Sequence, residues 1–215
     1  MTESDWITGP DQKVRLAISA LSPRRQRLLA VAACRVLGER IEYPVVRAAL
    51  DAAETFADTG KSKAALRRAR QSLVSLRNEI YASRSHTNDA VGLSLFAVQV
   101  AVSENAVFGA VSQVLEALAI DDVPTEVARR RVYGPHREIT GPPVPPTFAP
   151  AWRTDTAVLL AKQMYESRDF STMPILADAL QDAGCDSADI LDHCRDMSQA
   201  HVRGCWVVDL VLGKS

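Results

Sequence analysis

Apolar residues recur at intervals of three and four along most of this chain, and that period leaves little choice of fold. Leu66, Ala69, Leu73, Leu76 and Ile80 draw the clearest line. An α-helix, turning once in about 3.6 residues, presents such a line on one side. A seam that narrow suits helices packed nearly antiparallel. It belongs to a helix running from about Lys61 to Ser83. Upstream, Leu29, Ala32, Ala33, Val36 and Leu37 follow Ser22-Pro23, a cap residue and a first-turn proline. Val46, Ala49, Leu50, Ala53, Phe56 and Ala57 line a helix that starts near Pro44 and stops at Gly60. A further helix from about Asn88 to Ile120 is apolar on most sides and is expected to lie deepest. No segment alternates at every second residue as a strand does. The predicted class is all-α, an antiparallel helical bundle.

After a short helix from Thr125 to about Val132 the composition changes. Gly134-Pro135 and Gly141-Pro142-Pro143-Val144-Pro145-Pro146, ending at Pro150, break helices and predict an extended stretch. The expected organisation is an N-terminal helical domain over 1–133, a Pro-rich connector over 134–151 and a smaller C-terminal helical unit over 152–215 packed on the first. In that unit Thr154 or Asp155 caps a helix through Val158, Ala161, Met164 and Tyr165. Met173-Pro174 opens another, with Ile175, Leu176, Ala179 and Leu180 inward, and Gly184 ends it. Asp186-Ser187-Ala188-Asp189 opens a third with an acidic first turn. A last helix holds Val202, Trp206 and Leu210 and stops at Gly213.

The net charge of −1 creates no general field favouring nucleic acid or an anionic membrane. The longest apolar run, Ala90 to Val102, is interrupted by Ser94 and Gln99 and falls short of the roughly 20 residues that span a bilayer. Met1 to Trp6 has no basic stretch followed by an apolar run, so no secretory signal is read there. A cytoplasmic location, no membrane partner and reduced thiols are the expectation.

Cys185, His193, Cys194, His201 and Cys205 fall within one short stretch near the C-terminus. Zinc takes about four nitrogen or sulfur ligands in a tetrahedron, so these five are the candidate metal ligands, not all at once. His201 and Cys205, four apart, share a face if one helix carries both. His193 or Cys194 at the end of the preceding helix, or Cys185 at its start, completes a set. Cys185 and Cys194 cannot both join if they bracket a helix of about nine residues, roughly 13 Å long. No tight C-x₂₋₄-C knuckle is present. Core packing is the competing explanation, because reduced cysteines pack as small hydrophobes beside residues such as Trp206 and Leu210. Thiol chemistry is a third, with Asp189 orienting His193 beside Cys194 or Cys205.

Several segments also resemble a known family. They are Met173-Pro174-Ile175-Leu176-Ala177-Asp178-Ala179-Leu180, Asp182-Ala183-Gly184-Cys185, Asp189-Ile190-Leu191 and His193-Cys194-Arg195, followed by the tail from His201-Val202-Arg203-Gly204-Cys205-Trp206 to Lys214. Thr2-Glu3, Trp6, Arg27 to Arg35 and Ala53 to Asp58 belong to the same pattern. The chain resembles, over nearly its whole length, a bacterial family of hypothetical proteins. The resemblance implies helical proteins occurring in large paralogous sets, and it brings no activity. Members usually carry an aromatic-rich turn before the proline stretch, whereas this chain reads Val132-Tyr133-Gly134-Pro135-His136-Arg137.

Asp178 and Asp182 share a helix face and offer a second place for a divalent cation, set against a solvated acidic face. Arginines cluster at Arg24-Arg25-Arg27, at Arg67-Arg68-Arg70 with Arg77 and Arg84, and at Arg129-Arg130-Arg131. They offer phosphate contacts, yet no recognisable DNA-binding motif accompanies them. The proline repeats read as a spacer, with docking on an aromatic groove as the alternative. Phosphate loops and hydrolase motifs are absent. The leading expectation is a non-enzymatic interaction or adaptor module with an unidentified protein partner and no cofactor. The alternatives are a structural zinc module built on the Cys/His cluster and, second, a nucleic-acid-binding protein.

Overall fold

A computed structural model describes residues 11–83, 90–103, 107–142 and 144–214. The described residues form α-helices and two short 3₁₀ turns, with no strand among them, so the protein is all-α. The chain divides into two compact units, Met1–Gly134 and Pro135–Ser215. Arg84, Asn88, Pro143 and the N-terminal Met1, Thr2, Glu3 and Trp6, all named above, lie outside the described residues.

The first unit holds α1 (Asp11–Ser19), α2 (Pro23–Arg35), α3 (Pro44–Thr59), α4 (Lys63–Ser83), α5 (Ala90–Ala101), α6 (Val107–Ile120) and the start of α7 (Thr125–Thr140). Ser22 caps α2 as expected, its hydroxyl accepting the Arg25 N–H at 3.3 Å. Arg27 to Cys34 are all buried, and α2 packs against α3, α5 and α6. That enclosure was expected of the 88–120 segment alone. The short α1 escaped the sequence reading, although Val14 and Ile18, one turn apart, are its buried residues.

The helix expected from Asn88 to Ile120 is two helices. Arg27 is the physical reason the first of them ends. Its Nη1 donates to the carbonyls of Ala101 and Ser103, both at 2.9 Å, and its guanidinium lies over the Phe56 ring. Ser103 Oγ donates to the Val100 carbonyl at 2.7 Å. Side chains, not another helical turn, satisfy these end carbonyls. Arg27→Ala removes charged hydrogen bonds from buried acceptors and is expected to destabilise the protein by about 3 kcal/mol. A urea-denaturation midpoint unchanged from wild type would refute that role for Arg27.

The second unit holds the end of α7, a 3₁₀ turn over Pro150–Trp152, α8 (Asp155–Ser167), α9 (Met173–Asp182), α10 (Ala188–Arg195) and α11 (Trp206–Leu212). The sequence pattern predicts a helix that ends near Val132 and an extended connector from Gly134. Instead α7 continues through Pro135 to Thr140. A proline inside a helix costs one backbone hydrogen bond and bends it, but later residues can still pair. Burial of Ile139 works against that cost. Gly141, at φ +71°, closes the helix, its N–H donating to the Arg137 carbonyl at 2.9 Å. Residues 135–151 therefore belong to the second unit. Beyond the prolines, Phe148 and Trp152 meet edge to face at 5.5 Å and pack on the unit's core.

That core is built from Met164, Met173, Leu176, Leu180, Ile190, Val207, Val208 and Val211 together with three cysteines. Thr154 caps α8, accepting the Ala157 N–H at 3.3 Å. On α9 the buried positions are Met173, Leu176, Ala177 and Leu180, whereas Ile175, expected inward, is exposed. The last helix is shorter than expected. It begins at Trp206, so His201 and Val202 lie in the preceding loop.

Candidate metal centre

Three separated pieces of the second unit supply the site. The end of α7 carries Glu138. The last turn of α10 carries His193 and Cys194, adjacent in sequence and therefore about 100° apart around the helix. Cys194 turns into the core. The loop after α10 begins with a tight turn in which Asp196 accepts the Ser198 N–H at 3.0 Å. It then delivers His201, makes a second turn at Gly204 (φ +97°), and ends at Cys205, the N-cap of α11. The Cys205 N–H donates to the Val202 carbonyl at 2.9 Å, which holds the thiol against the loop.

These pieces converge. Glu138, His193, His201 and Cys205 each offer one donor atom, and all four atoms lie within 4.8 Å of one another. His193 Nε2 stands 3.2 Å from Cys205 Sγ and 3.6 Å from Glu138 Oε2. His201 Nδ1 stands 2.9 Å from the same carboxylate oxygen. In tetrahedral zinc coordination, with bonds of about 2.0–2.3 Å, neighbouring ligand atoms are about 3.3–3.7 Å apart. The measured separations bracket those edges, so a small contraction would close the set on an ion. The side chains of His193, His201 and Glu138 are 10%, 7% and 4% exposed, and Cys205 is fully buried.

Hydrogen bonds fix the proton arrangement of the cluster. The Trp206 indole N–H donates to His193 Nδ1 at 3.3 Å. A neutral imidazole accepting at Nδ1 carries its proton on Nε2, which then points at Cys205 Sγ and Glu138 Oε2. His201 Nδ1–H donates to Glu138 Oε2. The other carboxylate oxygen, Oε1, is buried with no hydrogen-bond partner. Leaving such an oxygen unpaired is costly, and a cation beside it would remove the cost. The donor set of two imidazoles, one thiol and one carboxylate is one that zinc accepts.

Burial pushes the Cys205 thiol well above its ordinary range, and Glu138 adds to the effect. Burial also holds His193 below the usual imidazole value, with Glu138 opposing it. These directions bear on a thiol nucleophile. The Cys205–His193 distance would suit a Cys–His pair, but a nucleophile needs a depressed pKa and access to solvent, and Cys205 has neither. Asp189, expected to orient His193, is exposed, and the indole of Trp206 is what His193 Nδ1 meets.

Cys185 and Cys194 do not join the donor group. Both are buried members of the unit's hydrophobic core. Cys185 precedes α10 in a turn that returns its N–H to the Leu180 carbonyl at 2.9 Å, and the two thiols interact electrostatically. Burial pushes Cys194 up to about 12 and raises Cys185. Cys34, in α2, is likewise pushed up to about 12 by burial. An alkylating reagent near pH 8 is therefore expected to label none of the four cysteines in the folded protein and all four in denaturant. Mass spectrometry of a native protein with a rapidly labelled thiol would contradict this.

Glu138 is the member of the cluster that the sequence pattern does not point to, 63 positions from His201. The signal was faint: Val132, His136 and Ile139, all buried, continue the helical period across Pro135. The remaining candidates resolve more simply. Asp178 is exposed and pairs with Arg195 at 3.1 Å. Arg24 pairs with Asp58 at 2.9 Å and Arg27 is buried, so the first arginine cluster serves the interior. Arg67, Arg68 and Arg70 are exposed along α4. No helix among the described residues is long and apolar enough to cross a membrane. Comparison with protein-family models, curated proteins and solved structures returns no match to this chain.

Proposed function

We propose that the C-terminal unit is a structural metal module in which Glu138, His193, His201 and Cys205 hold one zinc ion. The observation that carries this reading is the convergence of four buried donor atoms from three chain segments within 4.8 Å. The unpartnered Oε1 of Glu138 supports it independently. A structural role follows from the count, because four protein donors fill a tetrahedron and leave no position for a water or substrate. Nearly complete burial of the donors agrees with that role. The ion would staple the loop from Asp196 to Cys205, which has no regular structure of its own, to the helices on either side.

Under this reading the adaptor role expected from the sequence becomes the companion function: the ion holds a scaffold whose helix faces meet a protein partner. Leu159 on α8 and Ile175 on α9 are large apolar residues left exposed there. A reducing compartment such as the cytoplasm suits a thiolate ligand, since an oxidised Cys205 could not coordinate.

Metal analysis of the purified 215-residue chain tests the proposal. About one equivalent of zinc is expected, exchangeable for cobalt with a thiolate-to-metal charge-transfer band. Protein that purifies without metal and takes up neither ion refutes it.

A further inference from the structure

Resting on that metal reading, we infer that Trp206 is a latch whose hydrogen bond to His193 is broken whenever a metal ion occupies the centre. Coordination uses the Nε2 lone pair of His193, the ring nitrogen that faces Cys205 and Glu138. For the ring to stay neutral, one proton leaves Nε2 and one is taken up at Nδ1, with no change of charge. Nδ1–H then meets the indole N–H of Trp206 across a gap that is now 3.3 Å. Two donors cannot share that hydrogen bond, so the indole must give it up.

The indole has little room to turn away unnoticed. Its centroid lies 5.0 Å from that of His193. The backbone of Gly141 lies so close that a Cβ there would stand 2.9 Å from Trp206 Cγ. Gly141 is the left-handed residue that closes α7 and opens the proline stretch. Occupancy at the metal is thereby transmitted through one indole to the start of the 141–146 segment. Trp206 is a positioning residue here, and it favours the metal-free state.

The test uses the whole 215-residue chain and zinc ions, with metal uptake and the indole N–H resonances followed in the same titration. The chain has three tryptophans, and Trp206→Phe assigns the resonance by deleting it. The expected result is an upfield shift of the Trp206 indole proton that saturates with metal uptake. Trp206→Phe, which frees His193 Nδ1 in the metal-free state, is expected to bind zinc about fivefold more tightly, the worth of one ordinary hydrogen bond. A purely packing role for Trp206 would weaken binding instead. Zinc uptake with an unmoved Trp206 resonance, or a variant that folds and binds more weakly, overturns the latch and leaves the metal centre standing. Absence of zinc uptake by the wild type overturns the metal centre and the latch together. If the variant fails to fold, the wild-type resonance alone decides.

Discussion

Zinc affinity is expected to fall by two to three orders of magnitude when Cys205 is replaced by serine. Binding at structural zinc sites of this kind is worth about 10–16 kcal/mol. One ligand in four accounts for roughly 2.5–4 kcal/mol of it, at about 1.4 kcal/mol per factor of ten. The same thiol sets a pH dependence. Burial keeps Cys205 protonated in the metal-free fold, so each ion that binds displaces one proton from it. Affinity should rise about tenfold per unit of pH between about pH 7 and 8.5, and weaken by the same factor as pH falls. Serine stays protonated in either state, so Cys205→Ser should lose the slope along with the affinity. Competition with a chromogenic chelator measures both. A variant that keeps wild-type affinity would remove Cys205 from the ligand set.

The second large effect concerns stability. A ligand present at about a thousand times its Kd stabilises the state that binds it by about 4 kcal/mol. In a domain of about 80 residues, each kcal/mol moves Tm by about 4–8 °C. Chelation is therefore expected to lower the melting of the Pro135–Ser215 unit by about 15–30 °C. Scanning calorimetry of the full chain with and without chelator reads this directly. His201→Ala protein should melt near the chelated wild type and ignore the chelator. A wild-type melting curve that chelation leaves in place would mean that the four donors meet without an ion contributing to the fold.

Helix class and most helix starts were legible because local chemistry decides them. Ser22-Pro23 and Thr154 act within one turn, and the apolar period of α2, α3 and α4 is carried by neighbouring residues. What was not legible depended on partners far away in sequence. The end of α5 at Ala101 is set by Arg27, 74 positions upstream. The passage of α7 through Pro135 rests on the burial of its last turn, which a local rule about proline cannot register. His201 and Cys205 had the spacing of a helical pair, yet they meet because a loop folds back, not because a helix carries them. Three of the four donors could be drawn from the local crowding of cysteine and histidine. Glu138 could not, because its role arises only when the chain closes a long loop.

That loop closure has a consequence for how the molecule comes apart. Val144 lies 80% exposed in the stretch of chain between Glu138 and the other three donors. A cut there leaves Glu138 on one fragment and His193, His201 and Cys205 on the other. With zinc bound, the nicked halves would stay clasped until the metal was withdrawn, and a fragment starting at the proline run would lack the fourth ligand.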